Sequence, residues 1–290
     1  MVPSINILAW GATAPWEESR QVEQDLIISR AIVALFANPF LAEELRFRGG
    51  TALNKLHFRE PLRYSEDIDL VRSTRGPIGP VLDHARSALQ PWLGQAAFDQ
   101  SPIAPKLTFR VPAEDDAAAR IRLKVEINTT EVETCDKPLT VRYRVDNPWF
   151  SGEADVVTFS REEMIATKLR ALLQRERGRD LFDVAQGLKE FHELDTARVV
   201  QCLIFHLERS GLRITRAEAE QRMFAKLRKP GLLQDVRTLL PAQEAAKLTP
   251  TAARAAFTSV FSRLILQLPG TPWNRTPEMA ERFGVEIYPD

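Results

Sequence analysis

The sequence predicts an α+β protein, with a mixed sheet flanked by helices over residues 1–158 and a helical C-terminal domain over residues 159–290. Three observations predict it. Alternating segments cluster between Tyr64 and Phe159, a helix start signal stands at Ser160, and only helical patterns follow as far as Leu268. At 290 residues the chain has ample apolar content to bury a continuous core.

The first helix is expected over Glu17–Ala37, where Val22, Leu26, Ile27, Ala31, Val33, Ala34 and Leu35 form an apolar stripe that stops before Asn38-Pro39. Arg48-Gly49-Gly50 breaks the pattern. A second helix over Thr51–Phe58 and a strand over Tyr64–Val71 are expected behind it. Four further strands are expected at Lys106–Val111, Arg120–Asn128, Pro138–Val145 and Ala154–Phe159, separated by acidic or proline-bearing turns. Within Arg120–Asn128, Ile121, Leu123, Val125 and Ile127 share one face, while Arg122, Lys124, Glu126 and Asn128 share the other.

Ser160-Arg161-Glu162-Glu163 has the form of a capping box, and Ile165, Leu169, Leu172 and Leu173 continue it as a helical stripe. That helix is expected to stop near Arg177-Gly178. Asp180 is then placed to cap the next helix, whose apolar residues are Leu181, Phe182, Val184 and Leu188. Later breaks are expected at Gly211, Lys229-Pro230-Gly231 and Pro241, and the proline-bearing tail after Pro269 reads as extended or loosely attached.

Composition narrows the function. Thirty-nine basic residues balance thirty-nine acidic ones, so any nucleic-acid contact must be local. Lys168, Arg170, Arg175, Arg177 and Arg179 form one basic stretch, which reads equally as a solvated helix face. Cys135 and Cys202 lack zinc-site or disulfide-framework spacing. No basic leader precedes the first apolar residues and no apolar run reaches membrane-spanning length, so a cytoplasmic protein without a membrane partner is expected.

Chemistry concentrates in Gly49-Gly50-Thr51-Ala52-Leu53-Asn54-Lys55 and Ser65-Glu66-Asp67-Ile68-Asp69-Leu70. On a strand, Asp67 and Asp69 face one side while Ile68 and Leu70 anchor the other. Such a pair can bridge divalent cations, and magnesium prefers carboxylate oxygens together with substrate phosphates. The paired glycines let phosphates approach the backbone, and a helix starting behind them aims free N–H groups at anions. The segment is not a Walker P-loop, and taken singly the glycines are a plain turn. Glu126 is a candidate third carboxylate, its alternative an ion pair with Lys124 or an arginine. Lys168 lies at the border of a buried helix face, where it could hold a phosphate or simply snorkel. Asp183 could orient Lys168 or pair with Arg179.

The ordered set Gly49–Lys55, Arg63–Leu70, Lys124–Ile127, Lys168–Leu172 and Arg179–Asp183 resembles the AbiEii/MenT nucleotidyltransferase toxins of type IV toxin–antitoxin systems. The resemblance covers roughly residues 48–186. It implies a polymerase-beta-like nucleotidyltransferase core and a helical C-terminal domain that contributes Lys168 and Asp183 to the active site. It implies transfer of nucleotides from an NTP to RNA, with the tRNA 3′ end as acceptor, blocking translation and growth. By position, Asp67 and Asp69 bind Mg²⁺ or Mn²⁺ and act in catalysis with Lys168 and Asp183, and Glu126 is the expected third carboxylate of the metal site and of catalysis. Gly49, Gly50, Thr51, Lys55, Ser65 and Asp180 are assigned to the nucleotide. Ser65 also matches a position that antitoxins of some relatives phosphorylate, where added negative charge would repel triphosphate and metal. Gly-Gly stands where many polymerase-like enzymes have Gly-Ser, leaving Thr51 or Ser65 to supply a hydroxyl. A cognate antitoxin is the implied protein partner. Two other readings of the carboxylates are a metal-dependent nuclease or phosphohydrolase and a non-catalytic nucleotide-binding partner protein.

Overall fold

The computed structural model describes residues 2–229 and 231–287. The chain divides into two compact units, Met1–Phe159 and Ser160–Asp290.

In the first unit, α1 (Ser4–Trp10), α2 (Ser19–Phe36) and α3 (Pro39–Glu44) precede β1 (Leu45–Arg48). Next come α4 (Gly49–Ala52) with a π-helical turn (Leu53–His57), β2 (Asp67–Arg72), α5 (Gly79–Leu93) and β3 (Ala97–Asp99). The remaining strands are β4 (Lys106–Pro112), β5 (Arg120–Asn128), β6 (Leu139–Asn147) and β7 (Phe150–Thr158). They form one seven-stranded sheet in the order β3-β4-β5-β2-β1-β7-β6. The sheet is mixed, because β2 runs antiparallel to β1 and parallel to β5.

α2 buries the predicted apolar stripe, including Leu26, Ile27, Ala31 and Leu35, and packs on β7, β5 and β6. It ends where expected, because Pro39 opens a new helix and the Asn38 side chain accepts the Leu41 N–H at 3.2 Å. β1 has only four residues, with Leu45 and Phe47 buried and Arg46 and Arg48 half-buried on the other face. This strand and α5 were not anticipated.

The expected strand at Tyr64–Val71 begins only at Asp67. The preceding residues are held as a loop. The Asn54 carboxamide accepts the backbone N–H groups of Leu62 and Arg63, and Arg63 Nη1 donates to the Tyr64 carbonyl at 2.9 Å. The expected helix at Thr51–Phe58 starts two residues early and widens into a π turn, in which Phe58 N–H reaches the Leu53 carbonyl at 3.0 Å.

The second unit contains α6 (Arg161–Gln174), α7 (Gly178–Glu190), α8 (Thr196–Arg209), α9 (Arg216–Leu227), α10 (Gln234–Arg237), α11 (Ala242–Lys247), α12 (Pro250–Arg263) and α13 (Thr276–Phe283). Ser160 caps α6 by accepting the Glu163 N–H at 3.0 Å, while the Glu163 carboxylate lies 2.8 Å from buried His206 Nε2 on α8. Gly178 starts α7 rather than merely stopping α6, since a Cβ there would overlap the Leu232 carbonyl. The tail is not loose. Fully buried Glu220 accepts the Trp273 N–H at 2.8 Å and the Thr276 hydroxyl at 2.5 Å, and α13 buries Met279 and Ala280. Prolines marked the chain as irregular there, yet Pro277 sits in the first turn of a helix, where its missing N–H costs nothing. No described helix is long and apolar enough to cross a membrane.

Candidate active site

The alternation of β2 places Asp67 and Asp69 on one face, half-buried, while Ile68 and Leu70 are buried on the other. The parallel register with β5 sets Asp67 beside Lys124 and Asp69 beside Glu126, and the antiparallel register with β1 sets Asp69 beside Arg48. Three carboxylates therefore share one patch of sheet. Lys124 Nζ lies 2.9 Å from Asp67 Oδ2 and 3.4 Å from Glu126 Oε2, and Lys106 lies 3.7 Å from the same Glu126 oxygen. Glu126 thus makes the alternative ion pair and also stands in register with Asp69. Burial pulls the Lys124 ammonium down, but its hydrogen bond to Asp67 and the surrounding carboxylates outweigh this and hold it above the usual lysine range. The chain's own cation already sits on Asp67. Carboxylate oxygens such as those of Asp67 and Asp69 are the ligands a hard divalent cation such as magnesium prefers.

The paired glycines are where the backbone meets these acids. Gly49 has φ 84°, a left-handed conformation, and a Cβ there would overlap Oδ2 of Asp69. The Asp69 carboxylate therefore rests directly against the bend. Gly50 lies against the buried Arg63 guanidinium, and a Cβ would overlap Nη2. Thr51 Oγ1 lies 2.8 Å from Ser65 Oγ and donates to the Asp67 carbonyl, so the bend, the loop and β2 are tied together. Ser65 is half-buried beside them.

Two residues assigned to the nucleotide lie in different surroundings. Lys55 turns into the interior, where its ammonium contacts buried Asp25 at 2.5 Å. Asp25 also accepts from Trp10 Nε1 at 2.8 Å and Trp16 Nε1 at 3.1 Å. Burial opposes the charge on Lys55, but Asp25 more than compensates and keeps the ammonium above its ordinary pKa. Lys55 braces the π turn against α2. Asp180 neither caps α7 nor presents itself to solvent. It is fully buried in the first turn and accepts from Arg175 Nε at 2.6 Å and Nη2 at 2.7 Å.

Within the second unit, Lys168 Nζ lies 2.9 Å from Asp183 Oδ2, both nearly buried, linking α6 to α7. The basic stretch around them is mostly committed internally. Besides these two pairs, Arg170 Nη1 reaches the His206 carbonyl at 3.5 Å. Arg175 and Arg177 are nevertheless exposed.

Sequence reasoning missed Arg48, Glu131 and Asp25. Arg48 precedes Gly49, shares the face of Asp69 and pairs with Glu131 from the β5–β6 connection. Reading β1 as a strand would have placed Arg48 on the acidic face by alternation.

The mixed sheet, its strand-borne carboxylates and the glycine bend beside them have the architecture of a nucleotidyltransferase. MenT4, a nucleotidyltransferase toxin from Mycobacterium tuberculosis H37Rv, superposes with a TM-score of 0.63 at 15% identity, over 97% of this chain and 94% of that one. JHP933 from Helicobacter pylori aligns with a TM-score of 0.49 at 18% identity, over 84% of this chain and 94% of that one. No curated protein sequence matches this chain. Residues 30–261 match the family model described as nucleotidyl transferase AbiEii toxin, type IV TA system. The chain belongs to this family of toxin nucleotidyltransferases.

Proposed function

We propose that this protein transfers a nucleotide from an NTP to the 3′ end of an RNA, with tRNA as the acceptor, and so blocks translation and growth. The observation that carries the reading is the Asp67–Asp69 pair on one face of β2, with the Asp69 carboxylate seated against the left-handed Gly49. The acceptor hydroxyl oxygen bonds to the α-phosphorus, the bond to the bridging oxygen breaks, and pyrophosphate leaves. A divalent ion, Mg²⁺ by the hardness of its ligands, would be held by Asp67, Asp69 and Glu126, where it would neutralise phosphate charge as the displacement proceeds.

The remaining work belongs to side chains and backbone. The Gly49-Gly50 bend admits the phosphates close to the main chain, and Thr51 and Ser65 supply hydroxyls there. Arg48 offers a guanidinium beside Asp69, matched to phosphate oxygens in its fork geometry. Glu126, in register with Asp69, would help hold the second ion or the acceptor hydroxyl. By the motif order alone, Lys168 and Asp183, 2.9 Å apart, would act as a pair in catalysis, with Asp183 orienting the ammonium. An antitoxin partner follows from the type IV family, and phosphorylation of half-buried Ser65 would place a dianion between the glycine bend and Asp67.

Incubating the protein with Mg²⁺, the four NTPs and total tRNA, followed by sequencing of RNA 3′ ends, tests this. Added nucleotides with stoichiometric pyrophosphate are expected. Unchanged ends with every NTP, or RNA shortened without NTP, would overturn it.

A further inference from the structure

On the same sheet face as Asp67 and Asp69 lie two arginines that the fold does not explain. Arg110 on β4 and Arg122 on β5 are direct register partners in the antiparallel pair, so their side chains emerge side by side. Both are exposed. Like charges directly opposite each other destabilise a ladder. Other cations on this face have partners: Lys124 has Asp67, Lys106 has Glu126 and Asp99, and Arg120 donates to the Ala117 and Ala119 carbonyls. Among the described residues, no ion pair or hydrogen bond holds the side chain of Arg110 or Arg122.

Their position follows from the register. Asp67 pairs with Lys124, and Arg122 lies two residues before Lys124 on β5, hence about 6.7 Å further along the same face. Along the strands, Asp69 beside Glu126 is followed by Asp67 beside Lys124 and then by the two uncompensated guanidiniums. A polyanion crossing this face would meet guanidiniums first and the acids, with their metal and triphosphate, last. The chain is neutral as a whole, so this local excess is not a by-product of a basic composition.

We propose that Arg110 and Arg122 form the acceptor track, gripping backbone phosphates of single-stranded RNA so that its 3′ end lies at Asp67 and Asp69. The inference rests on the nucleotidyltransferase reading above and adds where the acceptor lies. RNA is favoured over an acidic protein because the pair is continuous, in register, with the site at which an RNA terminus must arrive. Planar guanidiniums also bind phosphate oxygens bidentately. The track reads no base, so it sets affinity and direction while leaving sequence preference to other groups.

The test uses the full chain and a labelled single-stranded oligoribonucleotide of about a dozen nucleotides, in filter binding across a salt series. Arg110→Gln/Arg122→Gln should weaken RNA binding at least tenfold and flatten the slope of log K against log salt by about 1.4, the value for two lost phosphate contacts on a single strand. The KM for RNA should rise while the KM for NTP stays within about twofold. Arg110→Lys/Arg122→Lys should recover most of the affinity and the slope. Either single glutamine variant should melt at or above the wild-type temperature, because the like-charge pair opposes folding. Wild-type RNA affinity and salt slope in the double variant would overturn the proposal, as would RNA binding undetectable in the wild type. It would also be overturned if the substitutions impaired binding of poly-glutamate but not of RNA. Because binding is read without turnover, intact binding with no nucleotide transfer would instead sink the nucleotidyltransferase reading alone.

Discussion

Gly49→Ala separates the two things the glycine bend does. At φ 84° an alanine pays the left-handed penalty of about 1–2 kcal/mol. For a unit spanning Met1–Phe159, that corresponds to a melting temperature about 2–8 °C lower. The new methyl would also occupy the space of Asp69 Oδ2, forcing the carboxylate to move by the order of 1 Å. Misplacement on that scale costs on the order of 10²-fold in rate. Gly211→Ala is the control, because Gly211 has φ 69° and no atom within 4 Å of an added Cβ. Both variants should lose similar stability by thermal denaturation, while only Gly49→Ala should lose nucleotide transfer, measured as kcat/KM with saturating Mg²⁺. Equal activity in the two variants would refute the claim that Gly49 is there to seat Asp69.

Further outcomes follow from other contacts. Arg48→Met should raise the KM for NTP with little change in melting temperature, since its only described partner, Glu131, is a half-buried acid; an unchanged KM would remove Arg48 from the phosphate site. Lys124→Met should lower the Mg²⁺ concentration for half-maximal transfer, because the ammonium at 2.9 Å competes for Asp67, and an unaltered Mg²⁺ titration would speak against metal binding there. Lys55→Met leaves Asp25 buried beside two indole donors and should cost about 3–5 kcal/mol, read by urea denaturation. Glu23 is buried, its Oε1 without a hydrogen-bond partner among the described residues, and burial raises its carboxyl against the opposing backbone N–H groups of Glu114 and Val2. A raised folded-state pKa contributes stability below the unfolded value of about 4.3 that is lost as pH climbs through the folded value. Glu23→Gln should therefore raise the melting temperature at pH 8 but not at pH 4, and a gain that ignored pH would contradict this origin.

Long periodic signals were legible in the sequence. The bounds of β5 were read from its alternation, and α2 and α6 from their stripes and stop or start residues. Short elements were not, because four residues such as β1 hold too few alternations to exceed background, and Arg48 was lost with it. Spacing placed Asp67 and Asp69 on one face but said nothing about neighbours from distant segments. The partners of Lys55 and Asp180 are therefore tertiary facts: Asp25 lies thirty residues before Lys55, and Arg175 claims Asp180 by folding back across the α6–α7 turn. The tail was misread because prolines mark a break in pattern equally well when they open a helix.

The most direct measurement is transfer of label from each α-³²P-NTP to total tRNA by the wild-type protein and by Asp69→Asn, an isosteric change that keeps the side chain against Gly49 while removing its charge. The account predicts label at RNA 3′ ends with the wild type for at least one NTP, and loss of at least two orders of magnitude in the variant with melting temperature preserved. Undiminished labelling by Asp69→Asn would contradict it.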